Sequence, residues 1–132
     1  MKRIPARLAL FMLLLLSLIC CKDDDEAIPA ATIYHSWLRV VTDTQGLQFN
    51  AELQLHQDNT LDFIVLDTGT GHTNSSTTFT LEQDTMTLAA DPQCNTPGRY
   101  VFLVSETRLA LVAVSDTCVP RKAAMQGIWT KK

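Results

Sequence analysis

No stretch of this sequence reaches the roughly 20 consecutive apolar residues that a membrane-crossing helix requires; the longest run, residues 8–19, has twelve positions, one of them Ser17. The usual marks of catalysis are missing as well. No G-x-S-x-G turn presents a nucleophilic serine, and His35, His56 and His72 stand in three separate segments with neither H-x-H nor H-E-x-x-H spacing. No C-x-x-C and no Cys/His cluster offers thiolate and imidazole ligands to a metal. Gly69, Thr70 and Gly71 open no helix, so they cradle no phosphate. Internal repeats and long amphipathic helices are absent too. These absences point away from an enzyme, a metal site or any other cofactor.

Positive charge is scarce, with 11 Lys and Arg against 14 Asp and Glu and a formal charge of −3. Three of those cations, Lys2, Arg3 and Arg7, precede the apolar run, which ends at Cys20 and Cys21 and is followed by Lys22 and the acids of residues 23–26. A basic start, a short apolar stretch and an abrupt end make the layout of an export signal. Because it ends in cysteine, it resembles the lipobox of bacterial lipoproteins. The residue before the modified cysteine is small in that pattern; Cys20 follows bulky Ile19 whereas Cys21 follows Cys20. The resemblance therefore selects Cys21 for lipidation and implies a palmitate-bearing anchor, each buried methylene contributing about 0.8 kcal/mol. It divides the chain into a signal peptide (1–20), an acidic tether (21–32) and a folded domain (33–132). Lys22 and its acids resemble the surface-export signal of lipoproteins in some Gram-negative bacteria, which implies the outer membrane and the cell surface. Read as a solvated tether, the same acids leave the domain on the periplasmic face.

Loss of residues 1–20 leaves eight Lys and Arg against 14 acids, a charge of −6. Nucleic acid would select the opposite sign, so it is not an expected partner. Cys20 is discarded and Cys21 takes lipid, which leaves Cys94 and Cys118 together in an oxidising compartment, where a disulfide is expected. A reactive or metal-binding pair is the other reading. About a hundred residues remain to bury one core.

The patterning of those residues has period two. Leu47, Phe49, Ala51, Leu53 and Leu55 alternate with polar neighbours across 47–57, and 61–66 continues the alternation beyond a turn at Asp58 and Asn59. Residues 69–76 read as a polar loop. A second hairpin is expected from 77–82 and 85–89, with Phe79, Leu81, Met86 and Leu88 inward, then a loop at 91–98 that contains Cys94. Residues 99–104 and 108–114 form a third hairpin, with Tyr100, Phe102 and Val104 on one face and Leu109, Leu111 and Ala113 on one face of its partner. Residues 33–42 carry a first strand with Trp37; 121–126 make a helical turn before Ile128 and Trp129 complete the sheet. Short strands and tight turns indicate an all-β, up-and-down antiparallel sheet that removes its open edges by closing on itself.

Trp37, the segment 97–100 after Cys94, the hairpin 108–114, the Asp116-x-Cys118-x-x-Arg121 stretch and the closing 127–129 together resemble the small lipocalin-like domains of bacterial lipoproteins. The likeness covers roughly residues 33–131, although the expected Gly-x-Trp reads His35, Ser36, Trp37 here. It implies a calycin-type barrel of about eight strands, with Cys94 bonded to Cys118 and Arg121 stacked across Trp37 to close one end. Such a barrel either fills its interior or holds a small hydrophobic ligand. Phe49, Leu53, Phe63, Phe79, Met86, Tyr100 and Phe102 are the expected lining. The other reading is a plugged, non-enzymatic interaction module whose loops at 69–76 and 91–98 touch a protein or glycan. Nothing in the sequence states the oligomeric state.

Overall fold

A computed structural model describes residues 33–132; the signal peptide, Cys21 and the tether lie outside the described residues. Eight strands follow one another: β1 (Ser36–Thr42), β2 (Gln48–Leu55), β3 (Thr60–Val65), β4 (Ser75–Glu82), β5 (Thr85–Leu88), β6 (Gly98–Val104), β7 (Arg108–Ser115) and β8 (Gly127–Lys131). Among the described residues one short helix, α1 (Val119–Met125), sits between β7 and β8. Each strand pairs antiparallel with its successor, and β8 returns to β1 through Trp37 opposite Lys131 and Leu38 opposite Thr130. The sheet is thus a closed up-and-down barrel, the outcome that alternation and edge avoidance predict.

Alternation decides what faces inward. Trp37 and Val41 of β1, Phe49, Ala51, Leu53 and Leu55 of β2, Leu61 and Phe63 of β3 and Phe79 of β4 are buried. So are Met86, Leu88, Tyr100, Phe102, Val104, Leu109, Leu111 and Trp129 further on. Two indoles, a phenol and a ring of aliphatic side chains fill most of a barrel of this strand number. Ile33, just before β1, belongs to the same core, and Tyr34 packs beside Phe79 at 6.3 Å between ring centroids. Both Trp37 and Trp129 donate their indole N–H to a carbonyl four residues earlier, Ile33 and Met125, each at 3.0 Å. Burial of either ring therefore strands no donor.

Several boundaries differ from expectation. Leu47 is in phase with the inward residues yet 45 % exposed, because it lies in the β1–β2 turn rather than in the sheet. Its amide is held instead by the Asp43 carboxylate at 2.8 Å. Strand β4 begins at Ser75, inside the stretch expected to be loop; Ser75 and Ser76 pair with Phe63 and Asp62 of β3. Ladder bonds use backbone only, so a polar pair joins the strand without an alternation signal. The helix starts two residues earlier than expected, with a proline near its first position, where a missing N–H costs nothing.

Candidate functional site

One end of the barrel gathers the β1–β2 turn, the loops 66–74 and 89–97, and α1. Between them lies a cavity of about 240 Å³. Val41, Phe49, Leu61, Phe63, Leu88 and Met125 make its apolar walls, while Asp43, His72, Thr77, Asp91 and Gln93 supply polar groups. Of the residues expected to line a ligand site, Phe49 and Phe63 reach this space. Leu53, Phe79, Met86, Tyr100 and Phe102 are buried in the packed barrel instead.

The rim is ordered by short-range bonds. Asp43 accepts the amides of Gln45 and Leu47, both at 2.8 Å, which closes the turn as an Asx cap. Its other oxygen meets Nε2 of His72 at 3.0 Å, joining the first turn to the 66–74 loop. Desolvation, the largest single cause, raises the Asp43 carboxyl, but the two amides and His72 together outweigh it, so the group lies below its ordinary range. The His72 ring is stacked on Phe49, with centroids 4.4 Å apart. Phe49 meets Phe63 edge-on at 6.4 Å, and Phe63 meets Trp129 in the same way at 6.3 Å. A chain of aromatic contacts thus runs from the mouth to the centre of the barrel.

Beneath the cavity lies a buried ionic clamp. Arg121 donates through Nε and Nη2 to the two oxygens of Asp116 at 2.8 and 2.9 Å, and Nη2 also reaches the Thr96 carbonyl at 2.7 Å. Its Nη1 lies 3.4 Å from the Ala89 carbonyl and 3.7 Å from Asp91. Asp116, with a fully buried side chain, also accepts the Cys118 amide at 2.8 Å and the Tyr100 hydroxyl. Gly98 completes the arrangement, since a Cβ there would run into the Asp116 carboxyl and Nε of Arg121. The Cys94–Cys118 disulfide spans the same two segments. Among the described residues no buried side-chain nitrogen or oxygen lacks a partner, which is what lets a charge pair persist inside a small domain.

This geometry corrects one expectation. Arg121 does not stack across Trp37: Asp116 engages its guanidinium in two parallel bonds, and the Trp37 N–H is turned to Ile33. The cation over an indole is Arg39, 5.6 Å from the Trp129 ring. Arg39 shares the inward face of β1 with Trp37 and Val41 and stands opposite Ala51, whose small side chain leaves it room. It donates to the carbonyls of Gln126 and Ala124 at the end of α1, where carbonyl dipoles converge and a cation is favoured. Gly127 is required by its φ of +140°, a conformation L side chains rarely adopt, and a Cβ there would also have to displace the Arg39 guanidinium. A charged residue in phase with two buried ones was the available signal for Arg39. His72 carried no signal at all, since its partners Asp43 and Phe49 are 29 and 23 positions away.

The clamp gives the fold a definite pH profile. Burial alone would raise Asp116, but Arg121, Tyr100 and the Cys118 amide hold its carboxyl below the ordinary range. Burial, then the Asp116 hydrogen bond and charge, push the Tyr100 phenol strongly upward. A depressed acid stabilises the fold fully above its unfolded value of about 3.9 and loses that contribution as pH falls through its native value; a raised phenol does so fully below about 10 and loses it as pH rises. Urea unfolding across pH is expected to show a plateau with two falling limbs. In Asp116→Asn the acid limb becomes shallower, and an acid limb equal to wild type would exclude Asp116 as its source.

Fold and site together define a small, closed, eight-stranded up-and-down barrel with a partly apolar cavity at one mouth. Compared with known proteins, the chain matches no family model, and no curated protein is significantly similar to it in sequence.

Proposed function

We propose that this protein is a membrane-anchored, surface-displayed lipoprotein whose lipocalin-like barrel binds a small hydrophobic molecule at its mouth. The anchor reading rests on the apolar run that ends at Cys21. Labelled palmitate is expected on the wild-type protein and not on Cys21→Ala; label on the variant would overturn the assignment.

The binding reading rests on one observation, the cavity of about 240 Å³ with apolar walls. Apolar cavities near 150 Å³ already admit benzene, whereas drug-sized ligands occupy about 300–1,000 Å³. The ligand is accordingly compact, on the scale of one ring or a short alkyl chain. Its head is neutral or cationic: although Asp43 and Asp91 are already bonded within the protein, they are the only carboxylates at the rim, and the one guanidinium among the lining residues is committed to Asp116 and two carbonyls. Titration followed by the methyl resonance of Met125 is expected to show hexylamine binding about tenfold more tightly than hexanoate, a difference of roughly 1.4 kcal/mol. Ala123→Phe, which fills the cavity from α1, is expected to abolish both. Binding that survives this substitution would place the ligand elsewhere.

A second reading, a loop-borne interaction module, draws on the filled interior and on Leu47 and Leu66, which are 45 % and 47 % exposed near the mouth. A protein or glycan partner held by those residues would leave the Met125 resonance unmoved.

A further inference from the structure

The outer face of the barrel wall carries a second feature. Leu103 of β6, Val112 and Val114 of β7 and Ile128 of β8 point outward and are 70, 56, 59 and 60 % exposed. They lie on three adjacent strands: Leu103 pairs with Ala110, Ala110 with Ile128, and Val101 with Val112. Val40, 55 % exposed, extends the strip onto β1. Isolated exposed aliphatics are ordinary, but a contiguous run of them on one wall marks a contact surface.

Charge is divided along the same line. Residues 40–98 hold eight acids and no Lys or Arg, while residues 99–132 hold six Lys and Arg and only two acids. One of those two, Asp116, is buried against Arg121. The outward Arg99 and Arg108 bracket the strip along β6 and β7, and among the described residues neither is paired with a carboxylate. Five of the eight acids sit in turns, and of the three within β2–β5 Glu52 is buried against Lys132. The β2–β5 wall is therefore polar and without cations, and the opposite wall is aliphatic with cationic ends.

We infer that the β6–β8 wall rests on an anionic lipid surface. A second copy is a poor occupant. Two-fold pairing of the strip would bring arginines of the two copies together, and docking on the β2–β5 wall of a neighbour would propagate without closing. A convex, aliphatic wall touches a rigid partner along a line only, whereas lipid conforms to it and receives the two arginines at headgroup level. The β2–β5 side, which has no Lys or Arg and carries acids in its turns, gains nothing from the same surface, which leaves one orientation. The inference draws on the anchor reading for proximity: residues 22–32 reach at most about 40 Å, so an acylated Cys21 keeps this wall within reach of the bilayer.

The test uses the mature protein, carrying an environment-sensitive fluorophore at Leu103→Cys or, on the β2–β5 wall, at Thr80→Cys, floated with phosphatidylglycerol or phosphatidylcholine vesicles that contain brominated lipid. With phosphatidylglycerol, quenching at position 103 is expected to exceed that at 80 by about threefold or more, and to collapse toward the value at 80 in 1 M salt or in Arg99→Glu/Arg108→Glu, as a screened surface attraction requires. Flotation with both lipids but equal quenching at the two positions overturns the docking and leaves the anchor standing. Flotation with phosphatidylglycerol alone, with position 103 quenched, supports the docking and removes the anchor. No flotation with either lipid overturns both.

Discussion

Replacing Arg121 with methionine is expected to lower the unfolding free energy by about 3–5 kcal/mol, because the fully buried Asp116 carboxylate loses the cation that compensates it. Against a total stability of roughly 5–15 kcal/mol for a domain, that loss is large. Methionine keeps the apolar stem of the side chain, so the loss falls on the guanidinium and the groups it bonds. Asp116 would retain the Cys118 amide and the Tyr100 hydroxyl, two donors where the wild type supplies four. Removing both charges, as in Arg121→Met/Asp116→Leu, is expected to recover part of the loss, since a pair replaced by apolar groups leaves no bare charge behind. Urea denaturation of the two single variants and the double variant measures the coupling directly. A double variant no more stable than Arg121→Met would show that the guanidinium acts through packing alone.

The second large effect is expected from Cys94→Ala. The disulfide joins residues 24 positions apart; on the chain-entropy account, a loop of that size is worth about 3–4 kcal/mol through restriction of the unfolded chain. At about 4–8 °C per kcal/mol for a domain of this size, the melting temperature should fall by at least roughly 12 °C. The bond and the clamp tie the same loop, 89–97, to the same segment ahead of α1. Their effects are therefore not independent. In Cys94→Ala the loop is freer to pull its carbonyls away from Arg121, so the losses in Arg121→Met and Cys94→Ala should sum to more than the loss in the combined variant. Strict additivity would show that bond and clamp act on separate parts of the fold. An unchanged melting curve in Cys94→Ala would dismiss the bond as a source of stability.

Much of the barrel is legible residue by residue. The run from Phe49 to Leu55 commits β2 to one inward face, and Phe79, Met86, Tyr100, Phe102, Leu109 and Leu111 follow the same rule, because period two leaves a strand only two faces to choose between. Leu47 breaks the rule where the chain leaves the sheet, and Ser75 breaks it by joining the sheet through backbone alone. The candidate site was far less legible. Phe49 and Phe63 do reach the mouth, but inwardness could not tell them from Leu53 or Tyr100. What separates these residues is depth along the barrel axis, which depends on which loops and which helix cover each end.

From the amino-acid order alone came the antiparallel all-β character, most hairpins, the closed sheet and the Cys94–Cys118 bridge, since alternation, turn residues and cysteine number are properties of neighbours along the chain. Only the tertiary structure could decide that Arg121 grips Asp116 while Arg39 takes the indole of Trp129, that His72 lies on Phe49, and that space remains beneath α1. Those outcomes are competitions among groups distant in sequence for the same charge, ring or volume. They are settled by where closure of the barrel brings each group.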